Sequence, residues 1–336
     1  MTDTNVMIIA EAAQGFEGRE LQASLLIKAA ASAKANAIKF QMIFANELAT
    51  PDYEHYGLFS SLEMPDASWH SLMAEANDLG IEIIIDVFGT RSLALSIEMG
   101  VTTIMTHATD LVNHALLGEI AASSIQNVIL GIGGAHRDEI DDALAILKEK
   151  NIILMVGFQG YPTETDDNNI NRVQALCQHT NALNHVTIGF ADHSLPESNN
   201  HLLLSTMAIG AGAKILEKHI TLGECMMMED HESALNPDRF RHYVEEIHQA
   251  NRAFGHSTDS NDFGMSSSEA QYRKNIRRSI ISARAIAAGQ TLTAADLTQL
   301  RHVETGTFTS YSDLIGRKAR HDIPAHTAIK VSDIDE

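Results

Sequence analysis

Cysteine is scarce in this sequence. The chain has 336 residues but only two cysteines, Cys177 and Cys225, and their placement matches neither a disulfide framework nor a metal motif. A reducing, cytoplasmic setting is the expectation. Long apolar runs are missing too. Hydrophobic residues make up 44% of the sequence, yet no uninterrupted run approaches the ~18 residues of a membrane span. The opening M-T-D-T-N-V has neither the basic start nor the apolar stretch of a secretory signal. No membrane partner is expected. Positive charge is the third shortage. The chain sets 24 Lys and Arg against 44 Asp and Glu, a formal charge of −20, which excludes the cationic footprint of a general nucleic-acid binder. The same field repels anions, so an anionic substrate must be drawn in by local cations or a metal.

What is present is a repeated pattern. Apolar runs stand at MIIAE (7–11), NAIKFQ (36–41), EIIIDVF (82–88), TIMTHA (103–108), NVILGIG (127–133), IILMVGF (152–158), TIGFADH (187–193) and KILEKH (214–219). Stretches of helical periodicity separate them. Continuous apolar runs alternating with helices imply parallel strands buried on both faces. Eight such units favour a closed (β/α)8 TIM barrel over an open doubly wound sheet, giving an α/β catalytic domain over residues 1–255. A last helix is expected at Pro237–Phe254, with Pro237 in its first turn. Residues 256–275 read as a linker, and 276–336 as a small, mostly β domain with strand candidates SIISA (279–283), LTQLRHV (297–303) and AIKVSDI (328–334). A unit of that size often needs a partner surface.

In such barrels the chemistry gathers at the C-terminal ends of the strands. There strand 1 offers Glu11, strand 2 Lys39 and Gln41, and strand 3 Asp86 with Arg91 beyond it. Strand 4 offers His107 and Asp110; strand 5 gives the glycine-rich turn 131–134, then His136 and Arg137; strand 6 leads to Gln159 and Tyr161. Strands 7 and 8 end in Asp192-His193 and Glu217-Lys218-His219. One histidine after a strand is usually an ordinary hydrogen-bonded residue. Two on adjacent strands with acids beside them can share a divalent metal and leave positions for water and substrate oxygens, which suits Mn²⁺ or Mg²⁺. Lys39 sits on a run that should be buried, and a buried cation needs a partner such as Glu11 or a substrate anion. The glycine turn reads either as a set of N–H groups facing a phosphate or as a plain βα turn.

Taken together, the motifs A-E-x-x-x-x-x-E-G (10–18), A-I-K-F-Q (37–41), Y-P (161–162), G-F-A-D-H (189–193), L-E-K-H-I-T (216–221), D-H (230–231) and R-R-S-I-I-S-A-R-A-I-A-A-G-Q-T-L (277–292) resemble the sialic acid (N-acetylneuraminate) synthase family. That resemblance implies condensation of phosphoenolpyruvate with an N-acyl hexosamine of the N-acetylmannosamine type, giving a nine-carbon 2-keto acid and phosphate. It implies a homodimer in which a C-terminal antifreeze-like (SAF) domain reaches over the partner's barrel. It places the metal on His193 and His219, and substrate contacts on Lys39, Gln41, Gln159, Tyr161, Asp230 and Arg301. Glu11, Asp110, Asp192 and Glu217 are then the carboxylates available to manage protons and water. The chain departs from the family pattern at Met105, Ala108, Gly131 and Ala191, where contacts to phosphoenolpyruvate are expected. Arg91, His107, His136, Arg137 and Lys218 are the cations that stand to compensate. The competing readings are a metal-dependent aldolase or transferase with a different enol or keto acid, and a non-catalytic paralogue.

Overall fold

All eight apolar runs form strands in the computed structural model, which describes residues 6–157, 160–198, 200–255, 261–302, 308 and 310–335. They are β1 (Met7–Ala13), β2 (Ala37–Gln41), β3 (Glu82–Asp86), β4 (Thr103–Thr106), β5 (Asn127–Gly131), β6 (Asn151–Val156), β7 (Val186–Asp192) and β8 (Ile215–His219). Each pairs in parallel with the next, and β1 closes onto β8 with Met7 opposite Ile215 and Glu11 opposite His219. The barrel is therefore closed, not an open sheet.

Strand alternation sorts the side chains into two cores. Ile8, Ala10, Ile38, Phe40, Leu130 and Leu216 face outward, packing with helices such as Glu20–Ser32 and Asp66–Leu79. Phe16, Phe40 and Trp69 meet there edge to face, with ring centroids 5.7 to 6.1 Å apart, each pair worth about 0.5–1.5 kcal/mol beyond its buried area. Inside the barrel, each strand supplies one residue to an apolar plug: Ile9, Ala37, Ile84, Met105, Ile129, Met155, Ala191 and Ile215. Two residues further along every strand, the inward positions are Glu11, Lys39, Asp86, His107, Gly131, Gly157, His193 and Glu217. A polar layer thus lies directly above the plug, at the C-terminal end of the barrel.

The chain divides into two compact units, Met1–His256 and Ser257–Glu336. The helix Pro237–Phe254 closes the first, capped by Asn236, whose side chain accepts from the Arg239 amide. Within the stretch expected as a linker, Ser267–Ile276 is helical. The second unit holds the antiparallel pair β9 (Ser279–Ser282) and β10 (Leu297–Leu300) over its own core, which includes Ile280, Ile286, Leu292, Leu314 and Ile329. The third strand candidate, AIKVSDI, is not a strand. Its ladder contacts are isolated bridges at Ala328 and Ile334, with a 3-10 turn at Val331–Asp333 between them. That turn is closed by the Asp333 carboxylate accepting from the Lys330 amide, a local bond that competes with a ladder.

Candidate active site

The polar layer opens into a cavity of about 550 Å³ floored by Met105, Met155 and Ala191 from the plug. The space exists because two strands contribute no side chain to the layer. A Cβ on Gly157 would fall 2.6 Å from the Ala191 Cβ and 2.9 Å from its carbonyl, and one on Gly131 would fall 2.9 Å from the Met105 methyl.

On the opposite arc stands a buried charge cluster. The Lys39 ammonium lies 2.6 Å from Glu11, 2.8 Å from Glu217 and 2.7 Å from the Met105 sulfur. Burial works against the lysine's charge, but Glu11 and Glu217 outweigh it and lift the ammonium pKa above the ordinary lysine value. Glu11 moves the other way in function: burial, with Glu217 and Asp86 nearby, raises its carboxyl well above the usual range despite Lys39. One cation serves two acids, so Glu11 is poised to hold a proton. Next to it, His107 contacts the buried Asp86 at 2.7 Å, which raises the imidazole's pKa, and stacks obliquely near Phe88. Gln41 accepts from Gln14 at 2.9 Å and approaches His107 at 3.5 Å.

His193 and His219 face the cavity from β7's end and β8, with ring centroids 5.1 Å apart and Tyr161 edge-on to both. Burial, aided by Lys218, pushes His193 down to about 4. Burial, then His193 itself, pushes His219 well below its ordinary value. Both rings are thus neutral at pH 7 and carry lone pairs, the state a metal requires. They fit as two nitrogen donors of a divalent ion whose remaining ligands are water or substrate oxygens. No group of three potential protein ligands occurs among the described residues. Above the rings, the Tyr161 hydroxyl donates to the Asp230 carbonyl, and the Gln14 amide donates to the Asp230 carboxylate at 3.2 Å. Burial raises the Asp230 carboxyl to about 6.

The cavity therefore brings together Glu11, Lys39, Gln41 and Tyr161 with His193, Glu217, His219 and Asp230. It leaves out others. Asp192 faces the opposite way, its carboxylate 3.0 Å from Lys218 behind the barrel wall; strand alternation puts it out of phase with His193. Asp110 lies in the 3-10 turn after β4, accepting from Asn113, and does not line the cavity. Arg301 is exposed in the second unit, and Gln159 lies outside the described residues. Of the compensating cations, only His107 lines the cavity. Arg91 instead sits 3.8 Å over the Phe44 ring, and His136 and Arg137 are exposed where the helix Arg137–Ile146 begins. His55, just before the helix Tyr56–Leu62, reaches the cavity unannounced by the sequence. A loop histidine with no periodic neighbours gives no signal.

A closed parallel barrel with proton carriers, a cation and paired imidazoles at its C-terminal mouth defines a (β/α)8 enzyme. The chain belongs to the NeuB family, matched over residues 26–259, and carries a SAF domain, matched over 277–335. It is 25% identical over 343 residues to N,N'-diacetyllegionaminic acid synthase from Legionella pneumophila, covering 96% of this chain and 92% of that protein. It is 27% identical over 350 residues to pseudaminic acid synthase from Campylobacter jejuni, covering 99% and 97%. Among solved structures, the N-acetylneuraminic acid synthetase of Leptospira borgpetersenii in complex with citrate is 29% identical, with a TM-score of 0.72 over 80% of this chain and 92% of that one.

Proposed function

We propose that the chain condenses phosphoenolpyruvate with an N-acyl hexosamine of the N-acetylmannosamine type, forming a nine-carbon 2-keto acid and releasing phosphate. One observation carries this reading: a raised-pKa acid, a buried ammonium and two neutral imidazoles converge on one cavity. In the reaction, C3 of the donor bonds to the aldehyde carbon, whose oxygen takes up a proton. Water adds at C2, phosphate departs, and the keto group remains. A divalent ion, Mn²⁺ or Mg²⁺, held by His193 and His219 would supply Lewis-acid polarisation of the aldehyde. Glu11 holds and moves the proton, with Lys39 restraining how tightly it is held, and Glu217 is the second carboxylate at the same ammonium. Lys39, Gln41 and His107 orient the anionic donor, while Asp230, positioned by Tyr161 and Gln14, accepts hydroxyls of the sugar.

The reading places the enzyme in the cytoplasm as a homodimer, with Arg301 of each SAF domain serving the partner's barrel. No helix among the described residues is long and apolar enough to cross a membrane. The test is direct: phosphate release from protein, Mn²⁺, phosphoenolpyruvate and N-acetylmannosamine. Absence of product with every N-acyl hexosamine tried, phosphorylated or not, rejects it.

A second reading keeps the metal and the aldehyde but changes the donor. It is favoured by Met105, Ala191 and Gly131, which put methyls and hydrogen where a phosphate wants donors, and by a lysine already shared between two carboxylates. Mass spectrometry of mixtures with pyruvate and other keto acids in place of phosphoenolpyruvate separates the two.

A further inference from the structure

The ion pair between Asp192 and Lys218 has no face toward the cavity, and both side chains are 0% exposed. Its place in the sheet gives it a task. Asp192 is the last residue of β7, and its partner across the ladder is Lys218; no further pairing joins β7 to β8 beyond that point. His193 has already left the ladder, while His219 is registered against Glu11 on β1 rather than against β7. The backbone ladder alone therefore does not tie one imidazole to the other.

Lys218 makes that tie. Its ammonium reaches the Asp192 carboxylate at 3.0 Å, the Asp192 carbonyl at 3.3 Å and the Ser194 carbonyl at 2.9 Å. These acceptors belong to the two residues flanking His193, and an ammonium has three donors to give. The Asp192 carboxylate closes the same turn from within, accepting from the Ser194 amide at 2.9 Å and the Ser194 hydroxyl at 3.1 Å. On the other side, the His193 carbonyl accepts from the Thr163 amide at 2.9 Å and the Ser233 hydroxyl at 2.7 Å.

We propose that Asp192 and Lys218 are positioning residues: a buried brace that fixes the His193 turn to β8 and so sets the separation of the His193 and His219 imidazoles. The inference deepens the reading of those histidines as metal donors and rests on it for its functional consequence. Polar groups that orient metal ligands from behind commonly change affinity by ~10–100-fold when removed.

The test uses the full chain with Asp192→Asn and Lys218→Met together, so that neither charge is left buried alone. Two readouts are taken: Mn²⁺ affinity by competition with a chelating dye, and the His193–His219 ring separation in a crystal structure. The expected result is affinity weakened by ~10–100-fold and a ring displaced by more than about 0.5 Å, the tolerance of a preorganised site. Rings left in place overturn the proposal, whether or not affinity falls, because charge alone would then account for any loss. If the unmodified protein takes up no Mn²⁺, the metal reading fails, and the ring separation still decides the brace. Should the double variant not fold, Asp192→Asn alone is read the same way; unmoved rings in that variant likewise overturn the proposal.

Discussion

Glu11 and Lys39 are neighbours across β1 and β2, in register and 2.6 Å apart at their charged ends, with Glu217 completing the contact at 2.8 Å. Two acids share one base inside the barrel. Removing the base leaves two buried carboxyl groups facing each other with no cation between them. Lys39→Met should therefore cost roughly 3–5 kcal/mol of stability at neutral pH and abolish turnover. The cost should shrink on acidification, since Glu11 already holds its proton more tightly than an ordinary carboxyl. Urea unfolding at several pH values reads both effects.

The barrel was legible because parallel strands buried on two faces leave continuous apolar runs, and all eight runs are strands. What those runs conceal is phase. With apolar residues on both faces, nothing in TIGFADH or KILEKH says which of two neighbouring residues looks inward. Asp192-His193 and Lys218-His219 read as units in the sequence, but alternation divides each, sending the histidines to the cavity and the ion pair behind the wall. The plug supplies the missing key: Ala191 and Ile215 are inward, so His193, Glu217 and His219 are too. In the second unit the same ambiguity misled. AIKVSDI alternates like a strand, yet its Asp333 caps a turn.

Asp296 organises that second unit. Its carboxylate accepts from the Thr293 amide at 2.8 Å, the Thr293 hydroxyl at 2.6 Å, Gln290 at 3.1 Å and Arg284 at 2.7 Å. The Thr293 hydroxyl contributes most to holding the carboxyl down to about 2. Its pKa is depressed below the unfolded value of ~3.9, so its stabilisation is complete above that value and lost as the pH falls toward 2. Asp296→Ala should remove this dependence and weaken protection across the unit. Hydrogen exchange of peptides from residues 277–335 between about pH 5 and pH 2.5 tests it; unchanged protection in the variant rules the role out.

His219→Ala and His193→Ala should each eliminate metal-dependent turnover. Burial keeps both rings neutral, and on the proposed reading the loss of one leaves a lone imidazole, which binds a divalent ion weakly at micromolar concentrations. Phosphate release at the micromolar Mn²⁺ that just saturates the unmodified protein is the measurement, with circular dichroism confirming the fold. Full activity in either variant refutes the assignment of that histidine.

Gly157→Ala probes the vacancy that makes the cavity. The added methyl meets the Ala191 Cβ at 2.6 Å and the Ala191 carbonyl at 2.9 Å, neither of which is a flexible side-chain end. The strain should cost ~1–3 kcal/mol and push on β7 two residues before His193. Thermal unfolding and KM together report it. A variant with lower Tm but unchanged KM for both substrates would show that this wall of the cavity touches neither of them.

On the proposed reading, Asp230 should set the acid side of the pH profile. Burial lifts its carboxyl to about 6, against an ordinary value near 4, with the Gln14 amide pulling in the opposite direction. As the pH falls through about 6 the carboxylate becomes neutral, and its proposed role as an acceptor for sugar hydroxyls should weaken. The value of kcat/KM for the amino sugar should drop about tenfold for each pH unit below that point, because a single proton is taken up. Asp230→Asn, fixed as neutral, should start from a low kcat/KM and show no such limb. If the variant instead retains the acid limb at the same pH, another group carries it, and Glu11, whose pKa is also raised by burial, becomes the one to substitute next.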